Sequence, residues 1–147
     1  MKSVYLALFV VLFVSCNSEK VDYKVKNEQE IKDYIATNNL DATRTDSGLY
    51  YVIEEQGTGK RATSSSKVTV AYKGYFTDGK VFDQSNDGIS FSLNQVIKGW
   101  TEGIQLFNEG GSGILLIPSS LGYGSSNHSG IPGGSVLIFE VSLLEAQ

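Results

Sequence analysis

From Ser47 onward, apolar and polar positions follow the two-residue period of β-strands. In Lys67 to Phe76, Val68, Val70 and Tyr72 occupy every second position, so their side chains are predicted to share one face of a strand. Further short apolar runs predict strands at 49–53, 89–93, 114–117 and 136–144. Together with a returning hairpin strand, these runs predict five or six antiparallel strands.

A tight turn joins two of the predicted strands. Asp78-Gly79 is a strong hairpin signal, because such a pair adopts the backbone conformations of a two-residue β-turn. The chain then returns directly into Val81-Phe82-Asp83, so we expect Tyr72 and Asp83 to lie on neighbouring strands. A little further on, Asn86-Asp87-Gly88 predicts a loop or a bulge.

One helical pattern interrupts the strands. Ile97, Trp100 and Ile104 are spaced i, i+3, i+7, as on one face of a helix. Gly99 and Gly103 each weaken such a helix by ~1 kcal/mol relative to Ala, so tertiary packing must hold it. Glycines on a packed helix also allow a sheet to come close. The predicted fold is therefore α+β, with a curved sheet closed over one short helix.

A second, shorter helical pattern precedes the strands. Asn27 is a candidate N-cap, with Glu30 three residues later completing a capping box. Ile31, Tyr34 and Ile35 then form one apolar stripe. The helix could serve dimerisation or docking, or could pack its stripe on the adjacent domain. We favour packing, because a helix of about twelve residues is marginal alone.

The N-terminal segment has the features of an export signal. Lys2 is followed by the apolar run Val4 to Val14, which is too short for the ~20 residues of a membrane span. Ser15-Cys16 then resembles a bacterial lipobox, whose Cys is lipidated; an ordinary secretory signal is the alternative. We expect a signal peptide at 1–15, a lipid-anchored tether with a short helix at 16–46, and a globular domain at 47–147.

Composition excludes several classes of protein. The 147 residues carry a net charge of −4 and no basic stripe, which argues against nucleic-acid binding. A single Cys excludes an intrachain disulfide. The only His, His128, has no Cys or acid at ligand spacing, so neither a metal nor another cofactor is expected. The sequence does not define an oligomeric state.

The stretch from Val81 to Trp100 is rich in apolar and aromatic residues and has one acid, Asp83, beside its first aromatic ring. This composition suits a concave apolar binding site, not a site that breaks covalent bonds. The aromatics could also be ordinary core, which is the commoner fate of such side chains. Asp83 favours a site, because a carboxylate on an aromatic face costs several kcal/mol unless it is paired. Tyr72 is its expected donor.

An ordered set of motifs now identifies a family. The set comprises Tyr72, Gly79-Lys80-Val81-Phe82-Asp83, Val96-Ile97-Lys98-Gly99-Trp100-Thr101-Glu102-Gly103, Ile117-Pro118, Leu121-Gly122-Tyr123-Gly124 and Leu137-Ile138-Phe139-Glu140-Val141. Residues 47–147 thereby resemble the FKBP-type peptidyl-prolyl cis-trans isomerases. The resemblance implies an antiparallel half-barrel sheet wrapped on the short helix, with a hydrophobic pocket between them.

The resemblance also implies residue roles. Its catalytic residues would be Asp83, Tyr123, Trp100 and Phe82, with Trp100 as the pocket floor. Substrate-binding residues would be Tyr72, Phe91, Val96, Ile97, His128, Ile131 and Phe139. Among these, the Ile97 N–H and the Tyr123 hydroxyl would donate to substrate carbonyls, and His128 and Ile131 would lie on the rim. The family pattern often has a Pro where this chain has Gly133-Gly134, which predicts a more flexible rim.

Two functions follow as expectations. The first is a prolyl isomerase, lipid-anchored to a bacterial envelope membrane and facing the periplasm, that acts on proline-containing exported proteins. The second is a non-catalytic binding or chaperone module of the same fold at the membrane surface. Macrolide inhibitors are a further ligand class that the resemblance implies.

Overall fold

A computed structural model describes residues 20–147 of the chain. Its helices and strands are α1 Tyr23–Thr37, β1 Thr43–Arg44, β2 Tyr50–Glu55, β3 Lys67–Tyr75, β4 Val81–Ser92, α2 Lys98–Ile104, β5 Ser112–Ile117 and β6 Leu137–Ala146, with short 3-10 turns at Leu93–Gln95 and Ser119–Leu121. The strands form one antiparallel sheet in the order β1-β2-β5-β6-β3-β4. The α+β fold predicted from the sequence is confirmed.

Strand β5 is apolar at successive positions because helices cover both faces of the sheet there. Leu115 and Ile117 belong to the core around α2, whereas Leu116 packs in a second cluster with Ile31 of α1. Alternate residues of a strand point to opposite faces, so a strand covered on both sides has no solvent-facing position to fill with polar residues. The sheet is thus the middle layer between the two helices.

The glycines of α2 allow the close approach that the sequence predicted. A Cβ on Gly99 would lie 2.6 Å from Cγ2 of Ile117, and one on Gly103 would lie 2.6 Å from Cδ1 of Leu115. Each distance is well below the ~3.5–4.0 Å at which carbon atoms attract each other best. The glycines therefore set the depth at which α2 lies against β5.

The hairpin between β3 and β4 forms at the predicted turn. Gly79 has φ +87°, and its N–H donates to the Phe76 carbonyl at 2.9 Å. We had expected a separate strand to begin at Ile89, but β4 is continuous through Asn86-Asp87-Gly88. These three residues form a bulge between two register pairs of the ladder with β3, Tyr72 with Ser85 and Val70 with Ile89. A bulge bends a strand without ending its pairing.

The expected N-cap of α1 was wrong. The helix begins earlier, at Tyr23, and Oδ1 of Asp22 accepts hydrogen bonds from the backbone N–H groups of Lys24 at 3.0 Å and Val25 at 3.4 Å. Asn27 lies inside the helix and is buried, one turn before Ile31 on the same face. Asp22 supplies the acceptor that the first turn needs, so Asn27 is free to face the domain.

The interpretation that α1 packs on the domain is confirmed. Its apolar stripe lies in a cluster with Tyr50, Leu116, Val136 and Ile138 from the sheet and the segment before β6. At one edge of this contact, the Tyr50 hydroxyl donates to Glu28 at 2.7 Å. That bond is the main cause of a lowered pKa for Glu28. A helix that is marginal alone is thus stabilised by the sheet face that it covers.

The expected signal peptide and the lipid attachment site Cys16 lie outside the described residues. Among residues 20–147, no helix combines the length and the apolar character that crossing a bilayer requires.

Replacing Gly99 by Ala tests the close contact between α2 and β5. Helix propensity alone would favour Ala by ~1 kcal/mol. The new methyl group would overlap Ile117, so we expect a net loss of about 1–3 kcal/mol in the free energy of unfolding. Urea denaturation measures the change, and the exposed Lys98→Ala in the same helix is the matched control. A stabilised Gly99→Ala variant would show that the contact is loose.

Candidate functional site

A pocket of about 880 Å³ lies between α2 and the sheet, and the loop after β5 forms its rim. All eleven side chains predicted for the site line it: Tyr72, Phe82, Asp83, Phe91, Val96, Ile97, Trp100, Tyr123, His128, Ile131 and Phe139. The structure therefore brings the predicted set together, although whether each residue has its predicted role stays a prediction.

Trp100 forms the floor of the pocket. Its indole is 5% exposed and contacts rings from three different strands. The centroid distances are 5.0 Å to Tyr72, 5.1 Å to Phe139 and 5.2 Å to Phe91, and the first two pairs meet edge to face. The Nε1 atom is buried and has no hydrogen-bond partner among residues 20–147. Packing, and not a hydrogen bond of Nε1, therefore orients this ring.

The predicted polar pair is present, and it lies at the mouth of the pocket. The Tyr72 hydroxyl donates to Oδ2 of Asp83 at 2.6 Å. In the ladder Tyr72 lies opposite Ser85, so Asp83 is its diagonal neighbour on the same face of the sheet. The carboxylate is exposed rather than enclosed by the aromatic rings. It therefore avoids most of the desolvation cost that the sequence argument assigned to it.

Burial and the neighbouring carboxylate keep the Tyr72 phenol protonated. Burial is the larger cause of its raised pKa, and the hydrogen bond to Asp83 is the second. The pKa of Tyr123 is also raised, first by burial and then by the negative charge of Asp83. A tyrosine is protonated at neutral pH in any case, and the raised pKa values extend the range in which both phenols can donate hydrogen bonds into alkaline pH.

Gly74 in β3 makes room for two of the aromatic walls. A Cβ at this position would lie 2.7 Å from Cε1 of Phe139 and 2.8 Å from Cε2 of Phe82. The rings of Phe82 and Phe139 meet edge to face at 5.5 Å directly over it. Sequence reasoning missed Gly74, although a glycine inside a strand often marks such a close approach.

The rim is a compact turn and not an open loop. His128 and Ile131 pair through two backbone hydrogen bonds, of 2.9 and 2.8 Å, around Ser129 and Gly130, which both have positive φ. The imidazole of His128 stacks on the Tyr123 ring at 4.7 Å with an interplanar angle of 11°. Ile131 is 8% exposed and is part of the core. Ile131 thus anchors the rim in the core, while the side chains of Tyr123 and His128 line the opening.

Sequence reasoning did not assign the remaining residues of the lining, which are Phe76, Lys80, Val81, Ile89, Gln95, Ser129 and Gly130. Two of these, Val81 and Ile89, are 40% and 47% exposed, so apolar surface continues outward from the mouth. Val81 begins β4 and Ile89 directly follows its bulge. Alternation placed Ile89 on the same face as Phe91, but neither Val81 nor Ile89 was assigned to the pocket. The bend of β4 brings both to the opening.

The sequence model of the FKBP-type peptidyl-prolyl cis-trans isomerases matches residues 59–144, more than half of the chain. The chain therefore belongs to this family. It is 42% identical over 125 residues to the FKBP-type isomerase FkpA of Aeromonas hydrophila, covering 82% of this chain and 47% of that protein. It is also 42% identical over 132 residues to FkpA of Escherichia coli K12, covering 88% and 48%.

Solved structures agree with this assignment. The crystal structure of FkpA from Escherichia coli matches with a TM-score of 0.76 at 38% identity, over 84% of this chain and 60% of that one. A peptidyl-prolyl isomerase from Pseudomonas syringae matches with a TM-score of 0.74 at 28% identity, over 87% and 98%. The chain spans about half the length of the curated relatives that it matches.

The raised pKa of Tyr72 predicts a loss of stability at alkaline pH. Above about pH 10 the unfolded chain ionises this phenol while the folded chain keeps it protonated, so unfolding releases a proton. Tyr72 should contribute no pH dependence of stability below that pH, and above it this group should lower stability by at most about 1.4 kcal/mol per pH unit. Urea midpoints from about pH 8 to 11 should show a shallower decline in Tyr72→Phe. An equal decline in both proteins would contradict the assignment.

Proposed function

We propose that this chain catalyses cis-trans isomerisation of Xaa-Pro bonds in exported or envelope proteins, with the aromatic pocket as its active site. The observation that carries the proposal is the aromatic floor and walls around Trp100, together with a single hydrogen-bonded polar pair, Tyr72 and Asp83, at the mouth. Membership in the isomerase family supports it.

The reaction suits a pocket of this composition. Resonance gives the peptide bond a rotation barrier of ~18–20 kcal/mol, and Xaa-Pro bonds isomerise over tens to hundreds of seconds. Rotation breaks no covalent bond, so the reaction requires no nucleophile. In the twisted state the imide loses resonance and becomes less polar, which an apolar pocket favours over the planar state. A 10⁵-fold acceleration requires only about 7 kcal/mol of such differential binding.

Hydrogen-bond donors then hold the twisted substrate. In our proposal the proline ring rests on Trp100, and the Tyr123 hydroxyl and the Ile97 N–H donate to substrate carbonyls. Ile97 directly precedes α2, and its own carbonyl accepts from the Trp100 N–H at 3.0 Å, so the donor and the floor are set by the same helix end. Stacking on His128 limits how far the Tyr123 ring can turn.

Asp83 acts on the imide through its position and charge. Its carboxylate is held by Tyr72 at the edge of the aromatic walls, where a fixed negative charge lies close to the twisting bond. Because the carboxylate is solvent-exposed, its field is partly screened. Desolvation by the pocket is therefore the main term in the proposed mechanism, and the donors and Asp83 are secondary.

A binding or chaperone role is the second candidate, and the apolar rim favours it. Val81, Ile89 and Tyr123 are each between 39% and 47% exposed around the mouth. Such a surface would hold apolar segments of an unfolded client beside the proline pocket. The same pocket is also the proposed site for macrolide inhibitors.

Exchange spectroscopy on a short Xaa-Pro peptide tests the enzymatic proposal. The protein should speed exchange between the cis and trans signals, and Trp100→Ala should reduce the rate more than about tenfold through lost packing. Tyr123→Phe should cost less, because it removes one donor and keeps the ring. Leu144→Ala, exposed and outside the pocket, is the control. Peptide binding without faster exchange would favour the chaperone role instead.

The proposed location is an envelope membrane facing the periplasm, with Cys16 as the lipid attachment site. An apolar run followed at once by a Cys supports it. Acyl chains contribute ~0.8 kcal/mol per buried CH₂, so two or three chains would give stable anchoring. Cys16→Ser should move the protein from the membrane fraction to the soluble fraction after ultracentrifugation. Continued membrane association of this variant would contradict the anchor.

A further inference from the structure

A single buried side chain of α1 binds both ends of the loop that carries the pocket rim. Oδ1 of Asn27 accepts from the Ser119 N–H at 2.8 Å and from the Ser119 hydroxyl at 2.6 Å. Its Nδ2 donates to the Gly134 carbonyl at 2.9 Å. Asn27 is 1% exposed and Ser119 is 4% exposed. The loop begins at Ser119 and ends at Gly134, so this one amide joins its two ends.

The loop completes the connection with two backbone hydrogen bonds. The Gly134 N–H donates to the Gly124 carbonyl at 2.8 Å, and the Gly124 N–H donates to the Ser119 carbonyl at 2.8 Å. Asn27, Ser119, Gly124 and Gly134 therefore form a closed ring of hydrogen bonds. Tyr123 is the residue immediately before Gly124, so the ring fixes the backbone from which the Tyr123 side chain reaches the pocket.

Packing supports the same contact. Gly134 has φ +75°, and a Cβ there would overlap the ring of Tyr23 from the first turn of α1. A Cβ on Gly133 would overlap the carbonyl of Ser125 within the loop. These two glycines, which the sequence reading took as a source of flexibility, thus allow the loop to close on itself and on α1.

Removing the Asn27 amide would leave buried polar groups without partners. The Ser119 N–H and the Gly134 carbonyl would each lose a hydrogen bond in a region with little access to water, which is costly. The loop could recover hydrogen bonds for these groups by moving towards solvent or towards the cavity of about 230 Å³ that Asn27 and Ser119 line. Because Tyr123 directly precedes Gly124 in the chain, its side chain would move with the loop.

We propose that Asn27 is a positioning residue for the isomerase site, which fixes the Tyr123 hydroxyl from a helix outside the pocket. Asn27 and Tyr23 both precede residue 59, where the match to the family sequence model begins. The residues of α1 that contact the loop at the rim therefore lie outside the segment that the family model covers. The catalytic consequence rests on the proposed function; the positioning of Tyr123 does not.

A double-mutant cycle tests the connection between Asn27 and Tyr123. Misplacing one donor should reduce kcat/KM on a Leu-Pro tetrapeptide about fivefold in Asn27→Ala. If Asn27 acts through the Tyr123 hydroxyl, the same substitution in a Tyr123→Phe background should cost less than about twofold. Equal losses in both backgrounds, or no loss in either, would overturn the proposal.

Two further variants separate positioning from stability. Tyr50→Phe removes the hydrogen bond from the sheet to Glu28 of the same helix but leaves the bonds from Asn27 to Ser119 and Gly134 in place, so it should leave kcat/KM unchanged. Asn27→Asp keeps the acceptor for Ser119 but loses the donor to Gly134, and serves if Asn27→Ala fails to fold. We expect Asn27→Asp to lower kcat/KM as well, with a smaller loss in the Tyr123→Phe background. A Tyr50→Phe variant as impaired as Asn27→Ala would show a general effect of helix docking.

A measurement independent of activity completes the test. The amide signals of Gly124 and Gly134 and the ring signals of Tyr123 should shift in Asn27→Asp and remain in place in Tyr50→Phe. Unmoved Tyr123 signals in the Asn27 variant would overturn the positioning role. If the wild-type protein does not speed exchange, the proposed function fails, and these signals still decide whether Asn27 positions Tyr123.

Discussion

The close approach of α2 to strand β5 is the contact on which the pocket depends. Gly99 and Gly103 lie against Ile117 and Leu115, so no side chain holds the helix away from the sheet. A seven-residue helix with no side-chain cap is unstable alone, and packing against the sheet is what stabilises it. The same packing places Trp100 at the depth where rings from β3, β4 and β6 surround it.

The pocket separates its apolar and polar parts. Aromatic contacts orient the floor, whose indole N–H has no partner within residues 20–147, and the polar pair of Tyr72 and Asp83 lies at the exposed edge. This arrangement exposes the carboxylate to solvent while the interior of the pocket is lined by apolar and aromatic side chains. The proposed reaction needs a less polar environment for a twisted bond and no covalent chemistry, and an apolar pocket of this kind is compatible with both.

Helix α1 extends this organisation to the other face of the sheet. The apolar stripe of α1 covers the side of β5 that α2 does not reach, and Asn27 extends the same contact to the loop at the rim. The two helices thus define different parts of one site, α2 its floor and α1 the loop that bears Tyr123. The sheet between them connects the two because β5 ends where that loop begins.

Local sequence rules determined the alternating strands, the turn at Asp78-Gly79 and the glycines of α2, because these depend on sterics and periodicity within a few residues. With the family resemblance, the sequence also indicated eleven of the residues that line the pocket. Only the tertiary structure decided the contacts of Gly74 and Asn27 and the exposure of Asp83. The partners of Asn27 are 92 and 107 residues away, and strand pairing, which no local pattern encodes, brings them together.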